Sequence, residues 1–368
     1  MVRIVSVLVP LVLALHGLIH LMGFAKAFGL LALPQLTRPI SRPVGVVWLA
    51  AALLTVGAAA ALPLAPRWGW AVAAAALVVS QGVIVTSWAD AKFGTLANLI
   101  LLAAAAYGYL AHGPTSLSAE YARALASATP APPGAPLTEA ELAPLPAPVQ
   151  RYIRASGALG QPRVHDFRAH WTGRIRAAVD QPWMDFTAEQ MNTFDPPRRF
   201  FFMDAVMKGL PVDVFHRFDE AGATMRVRLL SAKTMVDAGG PGLTRSETVT
   251  LFNDLCLFAP GELVRPAITW EAVDEHTARA HYTQGVDTIS ATLHFNDADE
   301  LVDFESEDRS ADPDGQSGPQ RWTTPVSAYA RVGPARVAQT AEVRWHPATG
   351  AWTYGEFTLT DLAWNTGR

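Results

Sequence analysis

From Met1 to His112 apolar residues run almost without interruption, and the only charged side chains are Arg3, Lys26, Arg38, Arg42, Arg67, Asp90 and Lys92. Crossing the hydrocarbon core of a bilayer takes roughly 20 apolar residues in a helix, which selects residues 4–22, 44–64, 68–87 and a slightly shorter 96–111. Gly and Ala are abundant in the second to fourth segments, so close helix–helix approach and a packed four-helix transmembrane bundle over residues 1–112 are expected. Trp48, Trp68, Trp70 and Trp88 fall near the predicted ends, where interfacial aromatics sit. Arg3 ahead of an apolar run also suits a signal peptide, but three further spans follow and no good small-residue cleavage site appears, which favours a first span.

The pattern then changes twice. Residues 113–147 are rich in Ala and Pro, with Pro130, Pro132, Pro133, Pro136, Pro144 and Pro146 crowded together, a composition for an extended spacer with a short helix around 119–128. Pro148 suits a helix start and Gly157 a stop, so 148–156 reads as a helix. Beyond residue 164 the period becomes two: Phe167, Ala169, Trp171 and Ile175 alternate with polar residues, as do Met225, Val227 and Leu229, and Ile289, Ala291, Leu293 and Phe295. Further strands are expected at 183–191, 198–205, 212–218, 268–273, 278–283, 301–305, 321–329, 336–345 and 352–359, with one internal helix at 246–257. Roughly ten to eleven antiparallel strands with one or two helices imply a half-barrel or strongly curved sheet over 148–368. The fold class is therefore α+β, a four-helix transmembrane bundle followed by a soluble β-rich domain.

Charge adds orientation and excludes one partner. The first 112 residues carry a net +5, which leaves −9 of the whole-chain −4 on the remainder and argues against nucleic-acid binding. With an even number of spans, the loops holding Lys26, Arg38, Arg42 and Lys92 share one side, opposite Arg3 and Arg67. The positive-inside rule puts those loops in the cytoplasm and the β domain in the periplasm or outside the cell, on a multi-pass inner-membrane protein. The single cysteine, Cys256, rules out an internal disulfide and reads as a buried apolar thiol.

Candidate chemistry is sparse. His16 and His20 are four apart and project from one helix face; they suit metal or haem ligation, a proton relay, or a neutral pair bonded to Ser80, Gln81 or Asn98, and two histidines alone are an incomplete set for most metals. Asp90 and Lys92 lie in the turn between the third and fourth spans, with Asp90 able to pair with Lys26 or Lys92. Trp171, Trp183, Phe200, Phe201, Phe202 and Phe215 either line an apolar cavity or fill a core. The acidic run Glu305, Glu307, Asp308, Asp312 and Asp314 lacks the donor spacing of a calcium loop and reads as a solvated hairpin. Standard catalytic motifs are missing, although His165, His170, His216, His281, Asp213 and Asp287 are available to a dispersed arrangement. No catalytic residue, metal or cofactor is assigned.

The stretches HGLIHLMGFAKAFG (16–29), SWADAKFGTLANL (87–99), VQRYIRASG (149–157) and FTAEQ (186–190) resemble signatures of a family of uncharacterised bacterial membrane proteins, a numbered domain-of-unknown-function group. That resemblance covers most of the chain and implies no activity. In strand order the β-rich part also resembles the half-barrel of lipoprotein carriers of the LolA and LppX type, which implies a concave apolar face that holds acyl chains. The sequence thus points to a membrane-anchored protein whose β domain binds a lipid or other hydrophobic ligand. Two other readings remain: a membrane enzyme or redox module using His16, His20 and Asp90, and a structural cell-envelope protein whose β domain binds another protein, not identified by the sequence, through a sheet edge.

Overall fold

The computed structural model describes residues 2–128, 134–312 and 318–366; Pro130, Pro132, Pro133 and Asp314 lie outside them. The chain divides into two compact units, Met1–Glu120 with Gly209–Pro211 and Leu230–Lys233, and Tyr121–Lys208 with Val212–Leu229 and Thr234–Arg368.

In the first unit the long helices are α1 (Val2–Ala27), α2 (Arg42–Leu64), α3 (Pro66–Thr86) and, after the short α4 (Trp88–Ala91), α5 (Gly94–His112). Proline sets the boundaries. Pro43 lies in the first turn of α2, where no intrahelical N–H is required, and Pro63 and Pro66 divide α2 from α3. Among the described residues four helices are long and apolar enough to cross a membrane, and their outward positions are apolar too, among them Leu8, Leu11, Leu15, Leu53, Val78 and Leu99. Many of the residues buried between the helices are small: Ala51, Ala52, Ala58, Ala59, Ala73, Ala76 and Ala105. Such residues let helix backbones approach closely. At Gly69 an added Cβ would lie 2.7 Å from the Ala61 carbonyl oxygen.

The chain continues through α6 (Leu117–Ser127), α7 (Glu139–Leu142) and α8 (Ala147–Ala155). The expected Pro/Ala spacer is therefore structured at both described ends. Leu117, Tyr121 and Ala124 form a buried stripe at helical spacing, and Leu137 and Leu142 join the core of the β domain.

Among the described residues the rest of the chain forms one antiparallel sheet of fourteen strands and one long helix. In chain order these are β1 (Asp166–Ile175), β2 (Met184–Phe194), β3 (Pro197–Met207), β4 (Leu210–Asp219), β5 (Gly222–Leu229) and β6 (Lys233–Gly239). After helix α9 (Pro241–Phe258) come β7 (Ile268–Ala272), β8 (Thr277–Gln284), β9 (Asp287–Phe295), β10 (Leu301–Ser310), β11 (Pro319–Thr323), β12 (Val326–Val332), β13 (Ala335–Trp345) and β14 (Trp352–Trp364). The spatial order is β6-β5-β4-β3-β2-β1-β14-β13-β11-β10-β9-β8-β7, with β12 on β13.

The open curved antiparallel sheet agrees with the expectation, but the strand count exceeds ten or eleven. Edge strand β6 is mostly exposed and has no apolar alternation to read. The stretch 321–329 is two strands because Pro325 interrupts the ladder between β11 and β12. The acidic run is not a solvated hairpin over its whole length either. Glu305, Glu307 and Asp308 belong to β10, where Arg321 neutralises Glu305 at 2.6 Å and Arg245 neutralises Asp308 at 2.6 Å.

The topology fixes the place of α9. It joins β6 to β7, the two edge strands, so the chain must cross one face of the sheet, and α9 packs there against β5, β9, β10 and β13. That face is called the inner face below.

Candidate functional site

Positions 246–258 of α9 are all buried, including Glu247, Asn253 and Asp254. Buried polar groups require partners, and the inner face supplies them by strand alternation. Arg199 shares its side of β3 with Phe201, Met203 and Ala205; Gln190 and Asn192 share theirs on β2 with Phe186 and Ala188. Arg199 donates from Nε to Asp254 Oδ2 at 2.8 Å and from Nη1 to Glu247 Oε2 at 3.3 Å. Gln190 Nε2 and Asn192 Nδ2 donate to the same Asp254 oxygen at 2.7 and 3.0 Å. From β10, Arg309 donates to Glu247 Oε1 at 3.3 Å. Glu247 thus ties α9 to β3 and to β10, strands on opposite halves of the sheet order.

Aromatic rings enclose the network. Arg199 lies 4.9 Å from the Phe201 centroid, Arg309 lies 4.6 Å from Trp322, and Trp171 donates its indole N–H to Gln190 Oε1 at 3.1 Å. His216 on β4 places Nδ1 3.9 Å from Glu247 Oε1, beyond hydrogen-bond reach, and Nδ1 has no partner among the described residues. Burial holds the His216 imidazole down at about 4, so it is neutral at pH 7. Burial raises the Glu247 carboxyl, but the surrounding positive groups, Arg309 and Arg199 among them, outweigh it and hold it below the usual range. Burial raises Asp254, against the pull of Arg199 and Asn192.

The six aromatic candidates separate. Trp171 and Phe201 are on the inner face, and Trp171 packs edge-on against Phe258 of α9 at 5.3 Å. Phe202 and Phe215 are on the other face, where their centroids lie 5.6 and 5.8 Å from Tyr121, and alternation puts buried Phe200 with them. Trp183 precedes β2, held between the guanidiniums of Arg174 and Arg176 at 4.6 and 4.5 Å. They do not line one cavity. A cleft of about 160 Å³ lies elsewhere in the β domain, lined by Leu137, Ala158, Phe258, Val337 and Trp364 among others. That volume is near the ~150 Å³ of a cavity that accepts benzene.

In the helical unit, His16 Nε2 is 3.0 Å from Asn98 Oδ1 and 3.2 Å from Ser80 Oγ, and His20 Nε2 is 2.8 Å from Ser80 Oγ. Asn98 continues the chain to Gln81 at 2.9 Å. Asp90 is bonded elsewhere: its carboxylate accepts from Thr37 Oγ1 at 2.7 Å and the Arg38 N–H at 3.0 Å, contacts that lower its pKa. Lys92 lies over the Phe93 ring at 5.4 Å. The structure joins His16 to His20 and leaves Asp90 as a tie between the loop after α1 and α4.

Of the dispersed histidines, His281 lies in a row with Ser290 Oγ at 2.9 Å and Glu271 Oε1 at 3.2 Å, on neighbouring strands. The row mimics a nucleophile, base and orienting acid, but the Ser290 N–H already donates to Asp308 and gives no oxyanion donor. Among the described residues no group of three His, Cys, Asp or Glu is placed to hold a metal ion.

Sequence reasoning missed Arg199, Glu247, Asp254 and Arg309. The signal was present for three of them: Arg199 shares a strand face with Phe201, and Glu247 and Asp254 are seven apart on one helix face.

A family profile described as a family of unknown function, DUF6544, matches residues 135–357. The chain belongs to DUF6544. The DUF6544 match takes in α7, α8, α9 and the sheet through the first six residues of β14, and the membrane-like stretches at 16–29 and 87–99 fall outside it. None of the curated proteins matches the sequence. Solved structures similar to this DUF6544 chain include a putative outer membrane lipoprotein-sorting protein domain from Vibrio parahaemolyticus, at 13% identity and TM-score 0.34, over 55% of this chain and 86% of that one. A DUF1329 family protein from Desulfovibrio piger matches at 11% identity and TM-score 0.36, over 64% and 95%. A LolA superfamily protein from Nitrosomonas europaea matches at 10% identity and TM-score 0.25, over 58% and 92%.

Proposed function

We propose that this chain is a membrane-anchored binding protein whose β domain takes a lipid or other hydrophobic ligand on the sheet face that α9 now occupies. The carrying observation is the way α9 is seated: it crosses the inner face between the two edge strands, and its apolar packing there through residues such as Phe252 and Phe258 is joined by buried ion pairs of Arg199, Arg309, Glu247 and Asp254. Charges regain hydration when they leave an interior, so a helix seated by ion pairs gives up less on release than one seated by apolar packing alone. Its departure would open a continuous apolar surface that includes Trp171, Phe201, Met203, Phe304 and Trp322. The four apolar helices would anchor the domain to a bilayer, and the excess of basic residues in the loops after the first and third apolar segments supports an extracytoplasmic β domain on an inner-membrane protein.

A second reading is a cell-envelope interaction protein with a permanently closed core. It is favoured by the filled inner face and by a cleft of about 160 Å³, below the ~300–1,000 Å³ usual for small-molecule pockets. One experiment separates the two. Full-length protein in detergent is irradiated with a photoreactive fatty acid, and labelled peptides are located by mass spectrometry. Binding predicts label in β1–β3 and α9, increased by Glu247→Gln, which loosens the seat. Label confined to the four N-terminal helices in both proteins would exclude the ligand reading and favour the closed core.

A further inference from the structure

We propose that the interior of the helical unit holds a hydroxyl oxygen between Trp48 and His20, supplied either by a buried water molecule or by a hydroxyl-bearing, lipid-soluble molecule. The inference starts from the direction of the hydrogen bonds. The single Ser80 hydroxyl proton goes to Asn98 Oδ1 at 2.8 Å. His20 Nε2, 2.8 Å from Ser80 Oγ, must then be the donor in that contact and carries the ring proton. His16 Nε2 faces two acceptors, Asn98 Oδ1 and Ser80 Oγ, and is protonated for the same reason. The same direction continues along the chain, with Asn98 Nδ2 donating to Gln81 Oε1 and Gln81 Nε2 to Thr95 Oγ1 at 3.3 Å.

A neutral His20 protonated on Nε2 presents a bare acceptor at Nδ1. That atom is buried without a partner among the described residues, and so is the indole N–H of Trp48. The two side chains are 1% and 3% exposed, and their rings meet edge-on with centroids 5.3 Å apart. Gly23, three residues beyond His20, leaves room for the Trp48 indole: a Cβ there would lie 2.2 Å from its Cδ2. An unmatched donor and an unmatched acceptor on two buried rings whose centroids are 5.3 Å apart are each costly. A hydroxyl satisfies both, its oxygen accepting from Trp48 Nε1 and its proton going to His20 Nδ1. A carbonyl, an ether or an anion would satisfy only the indole.

The test uses full-length protein in detergent, labelled with ¹⁵N at histidine and tryptophan, with His20→Gln used to assign the His20 signals. Nitrogen NMR separates protonated from bare ring nitrogens. The expected result is a protonated Nε2 and a hydrogen-bonded bare Nδ1 at His20, the latter shifting in Trp48→Phe. Organic extraction and mass spectrometry then identify the source. A hydroxyl-bearing compound whose recovery drops about tenfold in Trp48→Phe, the scale of one lost hydrogen bond, marks a ligand. No such compound, with magnetisation transfer from water to the Trp48 indole proton, marks a buried water. A proton on His20 Nδ1 would reverse the chain of bonds and overturn the proposal, as would an indole proton in contact with neither source.

Discussion

Replacing Arg199 by Met removes the centre of the inner-face network while keeping much of the side-chain volume. The guanidinium is buried and donates to both Asp254, at 2.8 Å, and Glu247, at 3.3 Å. Glu247 keeps Arg309, but Asp254 is left as a buried carboxylate facing only two amide donors, Gln190 and Asn192. Breaking a buried pair from one side costs about 3–5 kcal/mol, mostly the cost of the charge left behind. Adding Asp254→Asn removes that charge and leaves an amide oxygen for Gln190 and Asn192, so the double variant should recover about 2 kcal/mol, within the range of coupling between contacting residues. Urea unfolding of the full chain in detergent, followed by tryptophan fluorescence, measures both quantities, since Trp171 and Trp322 border the network. A loss below about 1 kcal/mol for Arg199→Met, or a double variant no more stable than the single, would refute the view that α9 is seated by paired charge.

His216 gives a pH signature. Its folded value is held at about 4 against an ordinary 6.5, so between those values the unfolded chain binds a proton that the folded one refuses. The stabilisation is fully present above 6.5 and falls by about 3 kcal/mol as pH drops towards 4; His216→Gln should flatten this part of the stability profile relative to wild type, and identical profiles would refute it. Gly23→Ala should destabilise the helical unit by about 1–3 kcal/mol through overpacking, because the new Cβ would lie 2.2 Å from the Trp48 ring; an unchanged thermal midpoint by circular dichroism would contradict that contact. Asp90→Ala should release the loop it holds through Thr37 and Arg38 and speed hydrogen exchange of the Arg38 amide, and an unchanged exchange rate would show that the tie is not what orders the loop.

The sequence by itself determined whatever depends on local periodicity. Four long apolar runs needed no tertiary information to be read as helices able to cross a membrane, and the period-two alternation beginning at Phe167 made the remainder an antiparallel sheet. Strand β6 escaped because an exposed edge strand carries no apolar alternation, and the division of 321–329 into two strands needed the geometry around Pro325.

The candidate site was less legible, since it depends on which faces meet. Alternation separates Phe201 from Phe200 and Phe202, but only the crossing of α9 from β6 to β7 decides which side becomes the inner face. Arg199, Glu247 and Asp254 are 48 and 55 positions apart, and Glu247 and Arg309 are 62 apart, so their pairing belongs to the topology. The histidine pair was visible at its four-residue spacing, whereas the choice of Ser80 and Asn98 as partners, and the unmatched atoms of His20 and Trp48, arise from three-dimensional packing of α1, α2, α3 and α5. Side-chain periodicity is a property of a segment; the partner of a buried charge or ring nitrogen is a property of the fold.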